Sequence, residues 1–219
     1  MSVNFAEIII AFACTIDITK LLMEDTYKTI AHPAEGIFKE KGSKFLAYAY
    51  PIYSEEEIKE IVLSIKKEHY SARHHCYAWR LGHEKLHFRA NDDGEPSSTA
   101  GKPILGQIQS FDLTNILIVV VRYFGGTLLG VSGLINAYRN AALDAINSAE
   151  IVEKTVEKQL LVEFDYGVMN DVMKIFKDEK LPQINPQFDF RCSIKTHVRL
   201  NDAERIERAL SKIEGLQIK

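Results

Sequence analysis

The stretch Ile116-Leu117-Ile118-Val119-Val120-Val121-Arg122-Tyr123-Phe124-Gly125-Gly126 decides how this chain reads. Its first six residues are apolar, mostly β-branched and non-alternating, as a strand covered on both faces should be. The segment then enters a turn with glycines at 125, 126, 130 and 133, and a long helix that ends near Ser148. Ala137, Ala141, Ala142 and Ala145 along that helix suggest close packing on a sheet. A buried strand that feeds a glycine-rich turn and a helix presents N–H groups at a positive helix end, which favours anions. The spacing is GGxxxGxxG, so it is not the dinucleotide fingerprint GxGxxG. Gly130 and Gly133 are expected to let the helix approach the sheet. Arg122, Tyr123, Gly125 and Gly126 are then the candidates for ligand contact. Ser132, Asn136 and Arg139 share a helical face and form one polar edge.

Upstream lies a loop, Asp93-Gly94-Glu95-Pro96-Ser97-Ser98-Thr99-Ala100-Gly101-Lys102. Gly94 and Gly101 permit positive φ, Pro96 stiffens the middle, and Ser97, Ser98 and Thr99 set hydroxyls beside backbone amides. Such a segment can form an anion-binding nest to which Lys102 adds charge. The plainer alternative is a polar connection held by its own hydroxyls. It is not a P-loop: Pro96 stands where GxxxxGK[ST] needs Gly, and Pro103 where it needs Ser or Thr. Asp92, Asp93 and Glu95 could do acid/base work or hold magnesium. The favoured reading is that they serve the loop's own amides or pair with Arg89 and Arg122.

Five of the seven histidines, His69, His74, His75, His83 and His87, fall close together. In a strand, His74 and Cys76 point one way while His75, Tyr77 and Trp79 point the other. No HExxH or paired CxxC spacing exists, so no metal site is expected. A Cys76 nucleophile would need a base that only the fold could supply. Arg73, His74, His75 and Asn136 are supporting candidates around the loop and turn.

The rest of the chain reads as α+β. Residues 36–52 suggest two strands around Lys41-Gly42-Ser43, and Ser54 caps a helix with an apolar stripe at Ile58, Ile61, Val62 and Ile65. Residues 73–81 and 85–90 read as paired strands, 91–103 as loop, and 107–113 as a short helix or an irregular stretch. Beyond a boundary near 150–155 the pattern is strand (155–164), helix (168–180), strands near 187–191 and 193–200, and a helix over 203–213 capped by Asn201 or Asp202. That βαββα order is half or more of a ferredoxin-like domain. The expected division is 23–150 and 151–219. Residues 1–22 read as an extension ahead of a natural start at Met23; their apolar run lacks the preceding positive charge of a secretory signal.

The formal net charge of −3 argues against wholesale binding to nucleic acid or anionic membrane, though not against a local basic face. The three cysteines are scattered, which fits a reducing cytoplasm rather than a disulfide framework. No apolar run approaches the ~20 residues that span a bilayer, so no membrane partner is expected.

Taken together, Lys41-Gly42-Ser43-Lys44-Phe45, Ala72-Arg73-His74-His75-Cys76-Tyr77-Ala78, Asp92-Asp93-Gly94-Glu95-Pro96 with Ala100-Gly101-Lys102-Pro103, and Val121-Arg122-Tyr123-Phe124-Gly125-Gly126 with Leu129-Gly130, Gly133-Leu134 and Ala137-Tyr138 resemble the YigZ/IMPACT family, from about residue 25 to the end. The resemblance implies two domains. The first would share its fold with a ribosomal small-subunit protein domain and domain IV of elongation factor G. The second would be ferredoxin-like and similar to domain V of that factor. Eukaryotic members of the family regulate translation through an additional N-terminal domain, and their partner is not carried over here. For bacterial members, the fold implies RNA or ribosome binding.

Three function classes follow. The first is a non-catalytic RNA- or ribosome-associated protein with a role in translation regulation, using Arg73, Arg80, Arg89, Lys102, Arg122 and Arg139 against phosphates. The second is an enzyme acting on a small phosphorylated or nucleotide-like ligand, for which no nucleophile–base pair and no cofactor motif is recognisable. The third is a protein-interaction adaptor using exposed strand edges of the second domain.

Overall fold

The computed structural model describes residues 25–219, so the expectations for residues 1–22 lie outside the described residues. Within that range the chain forms two compact units, Tyr27–Lys154 and Thr155–Lys219 with residues 25–26 joined to the latter. The division falls a few residues beyond the expected 150/151, because β7 (Ile151–Thr155) pairs with β1 (Thr26–Ile30).

The first unit is built on a five-stranded sheet containing β2 (Ala34–Glu40), β3 (Ser43–Pro51), β4 (His74–Leu81), β5 (His87–Asn91) and β6 (Ile116–Tyr123). The strand order is β2-β3-β6-β4-β5, and each neighbouring pair is antiparallel. The apolar block therefore occupies the central strand. Its side chains alternate between two cores, which explains why the sequence itself does not alternate. Ile116, Ile118 and Val120 pack with α2 (Gly101–Ser110) and α3 (Gly130–Ser148). Leu117, Val119 and Val121 pack on the other face with Ile58 and Ile65 of α1 (Glu55–Glu68). The Ser54 hydroxyl accepts the Glu57 N–H at the start of α1, as its capping sequence requires.

Two local expectations change. Residues 101–103 are not loop, because α2 already begins at Gly101 and absorbs the undecided 107–113 stretch as far as Ser110. Gly130 and Gly133 do not bring helix and sheet together. A Cβ at Gly130 would meet nothing within 4 Å, although its φ is +71°, and one at Gly133 would touch only the Leu129 side chain. The close approach is made from the strand side, where a Cβ at Gly36 would collide with the Ala145 backbone.

The second unit runs β8 (Glu157–Asp165), α4 (Met169–Asp178), β9 (Ile184–Phe188), β10 (Arg191–Arg199), α5 (Leu200–Leu210) and β11 (Gln217–Ile218). The sheet order β11-β8-β10-β9 completes a ferredoxin-like βαββαβ, with β11 the strand that the sequence pattern lacked. Leu160, Val162 and Phe164 of β8 and Cys192, Ile194 and Val198 of β10 bury one face against Val172, Phe176, Ile206 and Leu210. Neither Asn201 nor Asp202 caps α5: β10 runs straight into it, with Arg199 at the cap position and no side-chain cap. Arg199 instead pairs with the Asp25 carboxylate, and its hydrogen bonds hold that carboxyl below the usual range. No helix among the described residues is long and apolar enough to cross a membrane.

Candidate functional site

The register of the central sheet sets the site. Arg122 of β6 lies opposite both His74 of β4 and Phe45 of β3, on the face covered by α2 and α3. The loop from β5 to α2 passes over that end of the sheet. Asp92 organises it: its carboxylate accepts the N–H groups of Ser98 at 2.8 Å, Ala100 at 3.0 Å and Gly101 at 2.8 Å. The amides expected to form an anion nest are thus filled by the chain's own anion. The Thr99 hydroxyl donates to the Pro96 carbonyl at 2.6 Å, so it too is used within the loop. Gly101 is required by packing, since a Cβ there would run into the Asn91 backbone.

Asp93 is a strut rather than a ligand group. Its carboxylate accepts Lys66 Nζ at 2.8 Å and the His75 N–H at 2.7 Å, while its carbonyl oxygen lies 2.9 Å from His74 Nδ1. Burial works to raise the Asp93 carboxyl, but Lys66 and the His75 N–H more than offset it and hold it below the ordinary value. His75 is buried on the opposite face, where burial depresses its imidazole pKa.

Glu95 is buried and joins three elements. Its Oε1 accepts Arg122 Nη1 at 2.6 Å and the Tyr138 hydroxyl of α3 at 2.8 Å. The Cys76 thiol lies 3.3 Å from that hydroxyl and 3.0 Å from the Asp92 carbonyl oxygen. Burial pushes both the Cys76 thiol and the Tyr138 phenol far above their ordinary pKa values. Cys76 is therefore held as a thiol, which removes it as a nucleophile. Arg122 is 7% exposed, its Cζ lies 5.6 Å from the ring centroids of both Phe45 and Phe124, and its buried Nε has no hydrogen-bond partner among the described residues.

Two cavities meet at this arginine. One, of about 340 Å³, is lined by Arg73, His74, Glu95, Arg122, Phe124 and Leu128. The other, of about 260 Å³, is lined by Ser71, Ala72, Arg73, Arg122, Tyr123 and Phe124. Sharing Arg73, Arg122 and Phe124, they form one groove. Arg73 is exposed, and among the described residues its side chain has no acidic partner. His74 donates from Nδ1, because the Asp93 carbonyl can only accept; that leaves Nε2 as the ring atom with no partner among the described residues.

Of the residues singled out from sequence, the groove collects Glu95, Arg122, Tyr123, Arg73 and His74. It does not collect Asp93, Ser97, Ser98, Thr99, Lys102, His75, Gly125, Gly126, Asn136 or Arg139. Gly125 is taken up by packing: a Cβ there would fall within the backbone of Gly42 and Ser43, and its N–H donates to Ser43 Oγ at 3.1 Å. Arg139 and Asn136 are exposed and bond to each other. Arg80, a phosphate candidate, is turned inward to the carbonyls of Lys85 and Leu113. Phe124, Leu128 and Tyr138 belong to the site without having been singled out for it. Phe124 could have been found, for it sits inside the same motif as Arg122.

On the outer side of this end, His69 bridges Tyr48 and Tyr123, at 2.8 Å and 2.9 Å from their hydroxyls. Burial pushes Tyr48 up to about 12. Among the described residues no three His, Cys, Asp or Glu side chains converge to hold a metal ion.

Residues 41–146, which contain the whole groove, match the family model of the Impact N-terminal domain. The chain is 35% identical over 191 residues to the IMPACT family member YvyE of Bacillus subtilis, covering 87% of this chain and 88% of that protein. It is 37% identical over 146 residues to the IMPACT family member YigZ of Escherichia coli, covering 65% of this chain and 71% of the relative. A crystal structure described as that of a hypothetical protein matches with a TM-score of 0.70 at 28% identity, over 90% of this chain and 97% of the other. Matched to these relatives over most of its own length and theirs, this chain belongs to the IMPACT family.

Proposed function

We propose that this protein associates with RNA or the ribosome in translation regulation, and that the Arg73–Arg122 groove is where it takes hold of phosphate groups. The observation that carries this reading is the state of the two arginines. Among the described residues, Arg73 is exposed without an acidic partner, and Arg122 has a buried Nε with no hydrogen-bond partner. An orphaned buried donor is costly, and a ligand oxygen would relieve that cost. The translation-regulating eukaryotic members that the sequence resembles supply the biological setting.

A net charge of −3 makes this local recognition rather than a broad basic face. The site's chemistry favours binding over an enzyme acting on a phosphorylated ligand. Glu95 is committed to Arg122 and Tyr138, and the Cys76 thiol stays protonated, so neither is poised as base or nucleophile. The test is co-sedimentation with ribosomes at low salt. The wild-type protein is expected to pellet with ribosomes, and Arg73→Ala to pellet several-fold less. No pelleting at low salt, or equal pelleting of the variant, would overturn the reading.

A further inference from the structure

The groove has more in it than a simple phosphate site needs. Besides the arginines, it is lined by the Glu95 carboxylate and by His74, whose uncommitted Nε2 is an acceptor when the ring is neutral. A bare phosphate ion brings acceptors alone and leaves the Glu95 and His74 acceptors unmatched. The matching ligand carries an anion together with N–H or O–H donors. The groove also has apolar walls: Phe124 is 51% exposed and Leu128 is 83% exposed, while the Phe124 ring already covers the Arg122 guanidinium from one side. A half-exposed aromatic beside a guanidinium is a stacking surface for a flat ring.

Depth decides between the forms of RNA. Arg122 is almost wholly buried, so a phosphate that meets it must enter the cavity, past Phe124 and Leu128 at the rim. In a duplex the base is turned inward to its partner and cannot lie on Phe124 while its own phosphate occupies the cavity. An unpaired nucleotide can do both, because its base is free to splay out and stack. The two connected cavities, at about 340 and 260 Å³, are near the ~300 Å³ lower limit of small-molecule pockets, a scale that suits one nucleotide rather than a larger ligand.

We infer that the groove holds an unpaired nucleotide of single-stranded RNA. Its phosphate lies between Arg73 and Arg122, its base lies against Phe124, and its donor groups face Glu95 and His74. This rests on the RNA-binding reading above and narrows it to one form of RNA.

The experiment is fluorescence anisotropy with the full-length protein at low salt. It uses a ten-nucleotide uridine-rich single strand and a blunt RNA duplex of the same length, against wild type, Phe124→Ala and Phe124→Trp. The single strand is expected to bind at least about tenfold more tightly than the duplex. Loss of one base stack should cost Phe124→Ala about fivefold or more on the single strand, with Phe124→Trp restoring wild-type affinity and the duplex indifferent to both. Equal binding of strand and duplex, or a single-strand affinity unmoved by Phe124→Ala, would overturn the inference. If that happens while wild type still co-sediments with ribosomes, the inference fails alone. If wild type binds neither RNA nor ribosomes, the broader reading fails with it.

Discussion

Arg122 gives β6 a charge at the end of an otherwise apolar buried run, and Glu95 neutralises it from a loop. The pair is almost fully dehydrated, with side-chain exposures of 8% and 3%. Each partner therefore depends on the other far more than a surface pair would. Removing one member of such a pair leaves an uncompensated buried charge, and Glu95→Ala is expected to lower the unfolding free energy by about 3–5 kcal/mol. Urea denaturation checks this; a loss under ~1 kcal/mol would mean that the pair is more hydrated than its burial implies. At this scale the sequence was partly legible. Pairing of an acidic loop residue with Arg122 could be anticipated from their types. That Tyr138 shares the same carboxylate oxygen depends on α3 crossing the sheet there, and no spacing between residues 95, 122 and 138 encodes it.

Among the elements, β6 and α3 were readable because their signals are local: a β-branched run, then glycines, then small residues at helical spacing. The start of α2 was not. Its cap position is Ala100, which offers no side-chain acceptor, and the amides there are capped by Asp92 from across the loop. A cap supplied from so far upstream leaves no mark in the window in which helix starts are sought. The same carboxylate explains why the hydroxyl-rich loop is not an open anion nest. Asp92→Ala should orphan three amides and cost roughly 2 kcal/mol. Hydrogen exchange should show the amides of Ser98, Ala100 and Gly101 released while those of Ile118 to Val121 stay protected. Unchanged protection at the three loop amides would remove Asp92 from this role. The packing of the glycine turn is hidden for a similar reason: what crowds Gly125 is the Gly42–Ser43 backbone of the β2–β3 turn, far away in sequence.

For the molecule as a whole, the two-unit α+β architecture followed from periodicity and motif, and the missing strand β11 was too short, at two residues, to stand out. Charge sets the scale of any contact with RNA. A chain of net charge −3 that grips one phosphate between Arg73 and Arg122 makes few such contacts, so its affinity should depend only weakly on salt. Each phosphate contacted on a single strand contributes about 0.7 to the slope of log affinity against log salt, giving roughly −0.7 for the one phosphate held between the two arginines. The most direct measurement is that slope for wild type and Arg73→Ala on the same single-stranded RNA. A wild-type slope near about −0.7 that becomes clearly shallower in the variant is the expected result. Absence of binding at low salt, or a slope that Arg73→Ala leaves unchanged, would contradict phosphate recognition by this groove.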